Sequence, residues 1–325
     1  METRPLGSTG LTVTPIGLGL AAVGRPAYIT LGRANDLGSD RSVEQLRERS
    51  DELLDAAQAV GIRYLDAARS YGRAEDFLGS WLRRRSVPPA EVTVGSKWGY
   101  RYVGEWRLDA PIHETKDHGR AMLRRQVAES RELLAPWLRL YQIHSATLDS
   151  GVLEDASVLH ALVALRDDGL VIGLTTSGPA QADTLRAALR VEVDGRNPFA
   201  AVQATWNLLE PSVGEALGAA HDAGWGVIVK EAVANGRLAR AGATPAALDR
   251  VAARHATSAD AVAIAAALAN PWADVVLSGA ATTDQLLSNV GALDVRLTED
   301  DRAELDALRE PPERYWSERS ALAWA

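Results

Sequence analysis

Residues 61–72 read GIRYLDAARSYG, and this stretch is the clearest sample of the pattern that decides the fold. Ile62, Tyr64 and Asp66 alternate with a period of two, which predicts a strand, and a helix is predicted from about Tyr71 after a short loop. Asp66 therefore lies at the carboxyl end of a strand, with a phenol close behind it. Either the two side chains cap and pack the next helix, or they form part of a functional site.

The same succession of strand, loop and helix repeats along the chain. Eight short apolar runs end in glycine or a polar residue: 14–21, 61–68, 92–98, 138–145, 171–177, 200–207, 226–230 and 274–279. Segments between them, such as 46–60, 121–134 and 213–223, carry apolar residues at three- and four-residue spacing, as amphipathic helices do. Eight such units predict an α/β fold, a (β/α)8 TIM barrel with a closed parallel sheet.

A doubly wound sheet with a dinucleotide fingerprint is the main alternative fold. That fold places G-x-G-x-x-G after the first strand, whereas residues 17–20 read GLGL. The length of 325 residues suits two ordinary domains or one large barrel, and the repeating pattern favours a single domain over residues 1–325. Residues 4–15 predict a hairpin that precedes the barrel.

Three long connections, 24–40, 99–118 and 231–244, follow the first, third and seventh predicted strands. A barrel places such loops over its carboxyl-terminal mouth, where long loops are usually functional. The tail at 310–325 contains Tyr315, Trp316 and Trp324. These aromatic residues either pack on the outer helices or fold across the mouth, and we expect the mouth.

The composition excludes several classes of protein. The chain is 46% hydrophobic and 24% charged, which is typical of a globular protein, and the absence of cysteine excludes disulfides, thiolate metal sites and cysteine nucleophiles. A net charge of -8, with arginines scattered among acidic residues, argues against a nucleic-acid surface. No apolar signal core or spanning run is visible, and the 259–269 run predicts a buried helix, so the cytoplasm is the expected compartment.

Polar side chains stand at the carboxyl ends of three predicted strands: Asp66, Lys97 and His144. In a barrel they converge, together with Tyr71. Only three lysines accompany 32 arginines, so the position of each lysine is informative. We expect Lys97 to lower the pKa of the Tyr71 phenol, Asp66 to hold Lys97, and His144 to polarise a carbonyl group.

Each of these residues also has a structural interpretation, since Lys97 could be a solvated strand end and His144 a core histidine. A functional site is favoured, because four separate structural explanations at the same end of the barrel would be a coincidence. No nucleophile with an adjacent base and no ligand set for a metal is visible, and His113 and His118 are expected to be solvated. Proton transfer to a carbonyl oxygen requires a reductant for the carbon, which indicates a hydride donor.

The motif D-A-x-x-x-Y-G at residues 66–72, the strand-end Lys97 and the Q-I-H of residues 142–144 resemble the tetrad of the aldo-keto reductase family. Members are (β/α)8 barrels that use NADP(H) or NAD(H), and the resemblance extends from about Leu6 to Leu308. It implies that Tyr71 is the general acid and base, that Lys97 and Asp66 tune it, and that His144 orients the substrate carbonyl. Arg69 and Ser70 are expected only to shape the loop.

The resemblance also implies cofactor contacts. Thr175 in GLTT replaces the serine of the family pattern, whereas Thr176 departs from its asparagine. Gln203 matches the glutamine that binds the carboxamide, and Asn207 matches a nearby asparagine. Lys230 stands where an aromatic residue usually stacks on nicotinamide. We expect its charge to approach the cofactor or the substrate, with extension into solvent as the alternative.

Residues 278–289, SGAATTDQLLSN, resemble the segment of the family that binds the adenosine end of the cofactor. The implied contacts are Ser278, Gly279, Thr282, Gln285 and Asn289. Ala281 stands where NADP-selective members often have a basic residue. NADP(H) is nevertheless favoured over NAD(H), because backbone amides and hydroxyls can bind phosphate.

Aromatic residues are expected to form the substrate wall: Trp98, Tyr100, Trp106, Trp206 and, from the tail, Tyr315 and Trp316. Such a wall suits sugars, aromatic aldehydes and ketones. The predicted function is an NAD(P)H-dependent aldo-keto reductase that acts on one of these. The alternatives are a sugar, lactol or alcohol dehydrogenase, and a cofactor-sensing binding subunit with little turnover.

Overall fold

The computed structural model describes residues 1–239 and 244–324. The chain begins with the predicted hairpin, formed by β1 (Arg4–Pro5) and β2 (Thr12–Val13), which pair antiparallel. The remaining strands are β3 (Ile16–Gly19), β4 (Tyr64–Asp66), β5 (Thr93–Trp98), β6 (Tyr100–Tyr102), β7 (Glu114–Lys116), β8 (Leu138–Ala146), β9 (Val171–Thr176), β10 (Ala201–Thr205), β11 (Gly226–Lys230) and β12 (Val275–Ser278). Eight of these, β3, β4, β5 and β8 to β12, form a closed parallel barrel in which β12 pairs with β3. The predicted fold is confirmed, because each apolar run contains one barrel strand.

Helices alternate with the barrel strands along the chain, and the last three follow the final strand. They are α1 (Arg33–Leu37), α2 (Val43–Ala59), α3 (Ala74–Arg84), α4 (Arg120–Leu134), α5 (Ala156–Asp167), α6 (Gln181–Leu189), α7 (Gly214–Asp222), α8 (Ala246–Arg254), α9 (Ala259–Leu268), α10 (Thr283–Val290), α11 (Glu299–Asp306) and α12 (Pro312–Ser320). The prediction of a helix start near Tyr71 was wrong, because α3 begins at Ala74. Tyr71 therefore belongs to the loop after β4 and is not fixed by helical hydrogen bonds.

The floor of the barrel is apolar and is closed by the hairpin. Leu6 and Val13 from the hairpin are fully buried and pack in one cluster with Tyr64 and Ile228. Tyr64 fits there because Gly95, which pairs with Asp66 on the adjacent strand β5, has no side chain: a Cβ on Gly95 would lie 2.5 Å from the Tyr64 hydroxyl. A large phenol can thus occupy the interior and reach the polar layer above it.

The long loops contain secondary structure of their own. The 24–40 connection contains α1, and the 99–118 connection contains β6 and β7, which pair antiparallel. Of the 231–244 connection, residues 240–243 lie outside the described residues. None of the helices in the described part of the chain is long and apolar enough to cross a membrane.

The aromatic tail divides between the two predicted positions. Tyr315 and Trp316 on α12 are buried in a cluster with Leu209 and Leu238 and do not line the cavity at the barrel mouth. Trp324 lines the large cavity at the mouth, and Ala325 lies outside the described residues. The expectation that Tyr315 and Trp316 belong to the substrate wall was therefore wrong, and Trp324 occupies that position.

Candidate active site

The barrel brings the four predicted tetrad residues together at its carboxyl-terminal end. Asp66 ends β4, Lys97 lies near the end of β5, and His144 lies near the end of β8. Lys97 Nζ forms an ion pair with Asp66 and donates a hydrogen bond to the carbonyl oxygen of Ala67 at 2.9 Å. The same Nζ lies 4.9 Å from the centroid of the Tyr71 ring.

Asp66 is held from three sides. Besides the ion pair with Lys97, its Oδ2 accepts hydrogen bonds from the Tyr64 hydroxyl at 3.1 Å and from Gln203 Nε2 at 3.0 Å. Both members of the ion pair are buried, with side chains 0% and 2% exposed for Lys97 and Asp66. A buried pair with its remaining hydrogen-bonding positions satisfied is rigid, so Lys97 has a fixed position beneath Tyr71.

The environment of Tyr71 differs from the prediction in one respect. Burial raises the pKa of the Tyr71 phenol well above its ordinary value, the Asp66 carboxylate adds to this increase, and Arg25 opposes it. The expected decrease was wrong, because the positive charge of Lys97 is neutralised by Asp66 and does not offset burial. The phenol is therefore protonated at neutral pH.

His144 is a half-buried, neutral imidazole. Burial lowers its pKa well below the ordinary value, and the nearby charges of Lys97, Lys230 and Arg25 lower it further. Its ring stands perpendicular to Tyr71, with 5.5 Å between centroids and 83° between planes. Its Nδ1 lies 3.3 Å from Ser70 Oγ. A neutral imidazole beside a protonated phenol can present two donors to one oxygen atom.

The two histidines of the 99–118 loop are not solvated as predicted. His113 is buried and stacks on Trp324, with ring centroids 4.4 Å apart. His118 Nε2 lies 2.8 Å from the carbonyl oxygen of His144, and burial lowers its pKa to about 4. The loop folds back on the barrel as a strand pair, which its polar sequence did not indicate. No group of three or more possible ligands for a metal ion occurs among the described residues.

A cavity of about 940 Å³ extends from the tetrad to α10. Most of the predicted cofactor residues line it: Thr175, Gln203, Lys230, Ser278, Gly279, Gln285 and Asn289. Thr175 Oγ1 accepts a hydrogen bond from the backbone of Ser145 at 2.7 Å. Thr176 does not line the cavity, and its buried hydroxyl has no partner among the described residues. Its assignment as a cofactor contact is corrected, because successive residues of β9 point to opposite faces.

The far end of the cavity is a chain of hydrogen bonds. Ser278 Oγ donates to Asn289 Oδ1 at 2.7 Å, and Asn289 Nδ2 donates to Asp260 Oδ2 at 2.6 Å. Gln285 Oε1 accepts from the backbone of Ala281 at 2.9 Å. The predicted contact Thr282 caps α10, where its hydroxyl accepts from the backbone of Gln285, and it lies beside the lining residues rather than among them.

Lys230 reaches the cavity from the end of β11. Its Nζ donates to Thr205 Oγ1 at 3.0 Å, and Thr205 in turn donates to Glu231 Oε2 at 3.2 Å. Burial lowers the pKa of Lys230 to about 8, although Glu231 opposes the decrease. Both carboxylate oxygens of Glu231 accept hydrogen bonds from Arg319 Nε on α12. Burial alone would raise the pKa of Glu231, but the charges of Arg319 and Lys230 lower it to about 2.

The predicted substrate wall is largely wrong. Tyr100 lines the cavity, but Trp98, Trp106 and Trp206 do not. Trp98 is fully buried in the layer between strands and helices, where it meets His118 edge-on. Because Lys97 points into the barrel, its neighbour Trp98 must point out, and the same alternation turns Trp206 away from the cavity.

Trp106 and Asn207 do not line the cavity, and their side chains contact other parts of the protein. Trp106 Nε1 donates to the carbonyl oxygen of Arg41 at 2.9 Å, and its ring packs edge-on against Phe77. Asn207 Oδ1 accepts from the backbone amides of residues 209 and 210, and its Nδ2 donates to the Tyr315 hydroxyl at 3.0 Å. Asn207, which matches an asparagine of the family pattern, thus links the end of β10 to α12.

Trp324, which was expected at the mouth, lines the cavity together with residues that were not predicted: Arg25, Tyr28, Glu114, Glu231 and Arg319. Arg25 is the centre of this group. Its guanidinium carbon lies 5.0, 5.4 and 4.8 Å from the ring centroids of Tyr28, Tyr71 and Trp324. Its Nη1 donates to Glu114 Oε1 at 2.7 Å. The loops could be placed at the mouth from sequence, but which of their side chains turn inward could not.

Sequence comparison with known proteins relates this chain to proteins named as reductases and dehydrogenases. A family model described as the aldo/keto reductase family matches residues 16–310. The aldo-keto reductase ausK of Emericella nidulans is 27% identical over 236 residues, which span 71% of this chain and 55% of that protein. Pyridoxal 4-dehydrogenase of Microbacterium luteolum is 39% identical over 106 residues, or 32% of this chain and 26% of that protein. This chain thus spans about half or less of the length of these two curated relatives.

Comparison with a solved structure supports the barrel fold. The aldo-keto reductase AKR11C1 of Bacillus halodurans, in its holo form, superposes with a TM-score of 0.70 at 23% identity. The match covers 96% of this chain and 97% of that chain. The family match covers most of the sequence and includes all four tetrad positions. The chain therefore belongs to the aldo/keto reductase family.

Proposed function

We propose that the protein transfers a hydride between a nicotinamide cofactor and a carbonyl or alcohol substrate, with Tyr71 as general acid and base. One observation carries the proposal: Tyr71 lies between Lys97 Nζ, 4.9 Å from its ring centroid, and the His144 ring at 5.5 Å. All three border the same cavity or lie directly beneath it. Lys97 and Asp66 fix the phenol, and His144 orients the substrate carbonyl.

The residues along the cavity fit a nicotinamide dinucleotide. Thr175 and Gln203 offer a hydroxyl and an amide near the tetrad, and Ser278 and Asn289 offer polar groups at the far end. Gly279 leaves open space, since a Cβ there would meet no atom within 4 Å. When bound, the cofactor supplies the hydride that reduces the carbonyl carbon.

The protonation states of the chain support reduction of a carbonyl. Tyr71 is protonated at neutral pH because burial raises its pKa, so its hydroxyl can donate to an oxygen atom that gains negative charge. Neutral His144 can donate a second hydrogen bond to the same oxygen. The alternative, a sugar, lactol or alcohol dehydrogenase, needs the phenolate as base. Alcohol oxidation is therefore expected to accelerate with rising pH, whereas reduction should not.

The test is stopped-flow mixing with NADPH and NADH, followed by a panel of aldehydes, ketones and sugars. The panel includes pyridoxal, because one relative is named pyridoxal 4-dehydrogenase. Oxidation of the bound cofactor by any carbonyl compound supports the enzyme. Cofactor binding without turnover of any carbonyl or alcohol would support the third candidate, a cofactor-sensing binding subunit. The complete tetrad favours an enzyme over that candidate.

Selectivity between the two cofactors depends on the far end of the cavity. Family resemblance favours NADP(H), but the carboxylates of Asp260 and Asp284 line this end, next to the uncharged Ala281. Carboxylates repel a 2′-phosphate and can accept hydrogen bonds from a ribose diol. We therefore propose that NADH binds at least as tightly as NADPH.

Replacing Asp284 by asparagine is expected to shift the ratio of the two dissociation constants about two- to five-fold towards NADPH, as one exposed charge would. Fluorescence titration with NADH and NADPH measures both constants. Asp222→Asn, at an exposed helix end, is the matched control and should leave the ratio unchanged. Tighter binding of NADPH than of NADH by the wild-type protein, with no change in Asp284→Asn, would refute this selectivity.

Lys230 is proposed to place a second positive charge beside the reacting groups. Among the described side chains, the ammonium has one hydrogen-bond acceptor, Thr205. Its charge also lowers the pKa of His144, in addition to the larger effects of burial and of Lys97. Its surroundings also contain Glu231, Arg319, Lys97 and Asp66. An ammonium here disfavours a positively charged oxidised nicotinamide more than the neutral reduced ring.

Replacing Lys230 by methionine is expected to tighten binding of oxidised cofactor about ten-fold at pH 7, with little change for reduced cofactor. Because the pKa of Lys230 is about 8, the wild-type protein is charged at pH 7 and mostly neutral above pH 9, where the two proteins should converge. Titrations at both pH values measure this. Lys116→Met is the matched control, and unchanged cofactor affinity together with unchanged turnover in Lys230→Met would refute the role.

A further inference from the structure

The loop between Asp66 and Tyr71 contains a buried serine for which the proposed reaction has no role. Ser70 is fully buried, and its Oγ lies 3.3 Å from Nδ1 of His144. We infer that Ser70 is a positioning residue whose hydroxyl holds His144 in the tautomer that carries the proton on Nε2. The inference rests on the proposed function and deepens it, since it assigns the hydrogen-bonding polarity of the carbonyl-orienting group.

The tautomer follows from the donors and acceptors of the pair. A neutral imidazole has one N–H and one bare nitrogen, and burial keeps His144 neutral. In the described structure, Nδ1 of His144 is the hydrogen-bond partner of the Ser70 hydroxyl. If Nδ1 carried the proton, the hydroxyl hydrogen would be buried with no acceptor, which is costly. The Ser70 hydroxyl therefore donates to Nδ1, and the proton of His144 resides on Nε2.

The backbone holds Ser70 in place on both sides. Its carbonyl oxygen accepts a hydrogen bond from Arg25 Nη1 at 3.0 Å, and Arg25 is itself held by Glu114. The preceding residue, Arg69, donates its backbone N–H to the carbonyl oxygen of Lys97 at 3.1 Å. The expectation that Ser70 only shapes the loop is thus too narrow, because its side chain has a fixed direction towards His144.

The tautomer determines what the substrate oxygen meets. With the proton on Nε2, His144 offers a donor to a carbonyl oxygen that also receives the Tyr71 hydroxyl. With the proton on Nδ1, Nε2 would present a lone pair to that oxygen and repel it. The chemical class that this arrangement selects is an acceptor oxygen, either the carbonyl of an aldehyde or ketone or the oxygen that becomes an alkoxide.

The test combines nitrogen NMR with kinetics on the 325-residue protein. Side-chain ¹⁵N shifts of His144, assigned by comparison with His144→Gln, distinguish the two neutral tautomers. We expect the wild-type protein to show a protonated Nε2 and a bare Nδ1. In Ser70→Ala we expect a mixture of tautomers and a decrease in kcat/KM for an aldehyde on the order of ten-fold, the size of one buried hydrogen bond.

Controls separate positioning from a general structural effect. Ser70→Thr keeps the hydroxyl and should restore the single tautomer, and Ser212→Ala, whose hydroxyl bonds Glu210 away from the cavity, should change neither readout. Reduced cofactor should bind Ser70→Ala with an affinity within about two-fold of wild type. A wild-type spectrum with the proton on Nδ1, or an unchanged tautomer and kcat/KM in Ser70→Ala, would overturn the inference. If no carbonyl is turned over at all, the proposed function fails while the wild-type spectrum still tests the tautomer.

Discussion

Replacing Tyr71 by phenylalanine is expected to reduce turnover of carbonyl substrates by about 10²–10⁴-fold, the usual contribution of a positioned acid. The phenylalanine ring keeps the contact with Lys97 and the perpendicular packing on His144, so the cavity should retain its shape. What is lost is the proton donor. Binding of NADH or NADPH, measured by fluorescence titration, should stay close to the wild-type value.

Tyr102→Phe is the matched control for this variant. The Tyr102 hydroxyl accepts a hydrogen bond from the backbone of Trp106 and does not line the cavity, so removing it should leave turnover unchanged. Retention of more than about a tenth of the wild-type rate by Tyr71→Phe would mean that another group supplies the proton. In that case the assignment of Tyr71 is wrong.

Replacing Lys97 by methionine is expected to lower the free energy of unfolding by about 3–5 kcal/mol, because one partner of a buried ion pair is removed. Asp66 would keep its hydrogen bonds from Tyr64 and Gln203 but would lose the cation that it meets in a fully buried position. Turnover should fall as well, since the group beneath Tyr71 is gone. Urea unfolding followed by tryptophan fluorescence measures the loss of stability.

Two further variants show whether the lost pair is the cause. Lys116→Met removes a lysine on β7 whose side-chain hydrogen bond, to Thr147, is long at 3.4 Å, and it should change stability by less than about 0.5 kcal/mol. The double variant Asp66→Asn, Lys97→Met removes both charges and should recover part of the lost stability without recovering turnover. A Lys97→Met protein as stable as wild type would contradict the ion-pair account.

The fold could be predicted from the sequence because its units are local and repeated. Each barrel strand is a short apolar run with a glycine or polar residue at its end, and this signal survives in single units such as residues 61–68. The tetrad could be predicted for a related reason: parallel strands place their carboxyl ends at one face, so Asp66, Lys97 and His144 must converge.

The rest of the site depends on information that spacing does not contain. Arg25 lies in a loop and Glu114 in the short strand β7 of the 99–118 connection, and no periodicity there says which side chain turns inward. The direction of the Tyr71 pKa shift depends on burial and on the neutralisation of Lys97, neither of which a motif reports. The outward position of Trp98, by contrast, follows from strand alternation, which turns it to the face opposite Lys97.

Closure of the barrel has a consequence for how the protein refolds. The seam between β12 and β3 pairs Val276 with Ile16, and Asp66 bonds Gln203 across 137 residues of sequence. Contacts of such long range form late, because loop closure must precede them. Helices and their tryptophans can therefore become buried before the reacting groups assemble. We expect recovery of activity after dilution from denaturant to lag behind recovery of tryptophan fluorescence. The rate at which turnover recovers would then measure the rate at which the seam closes.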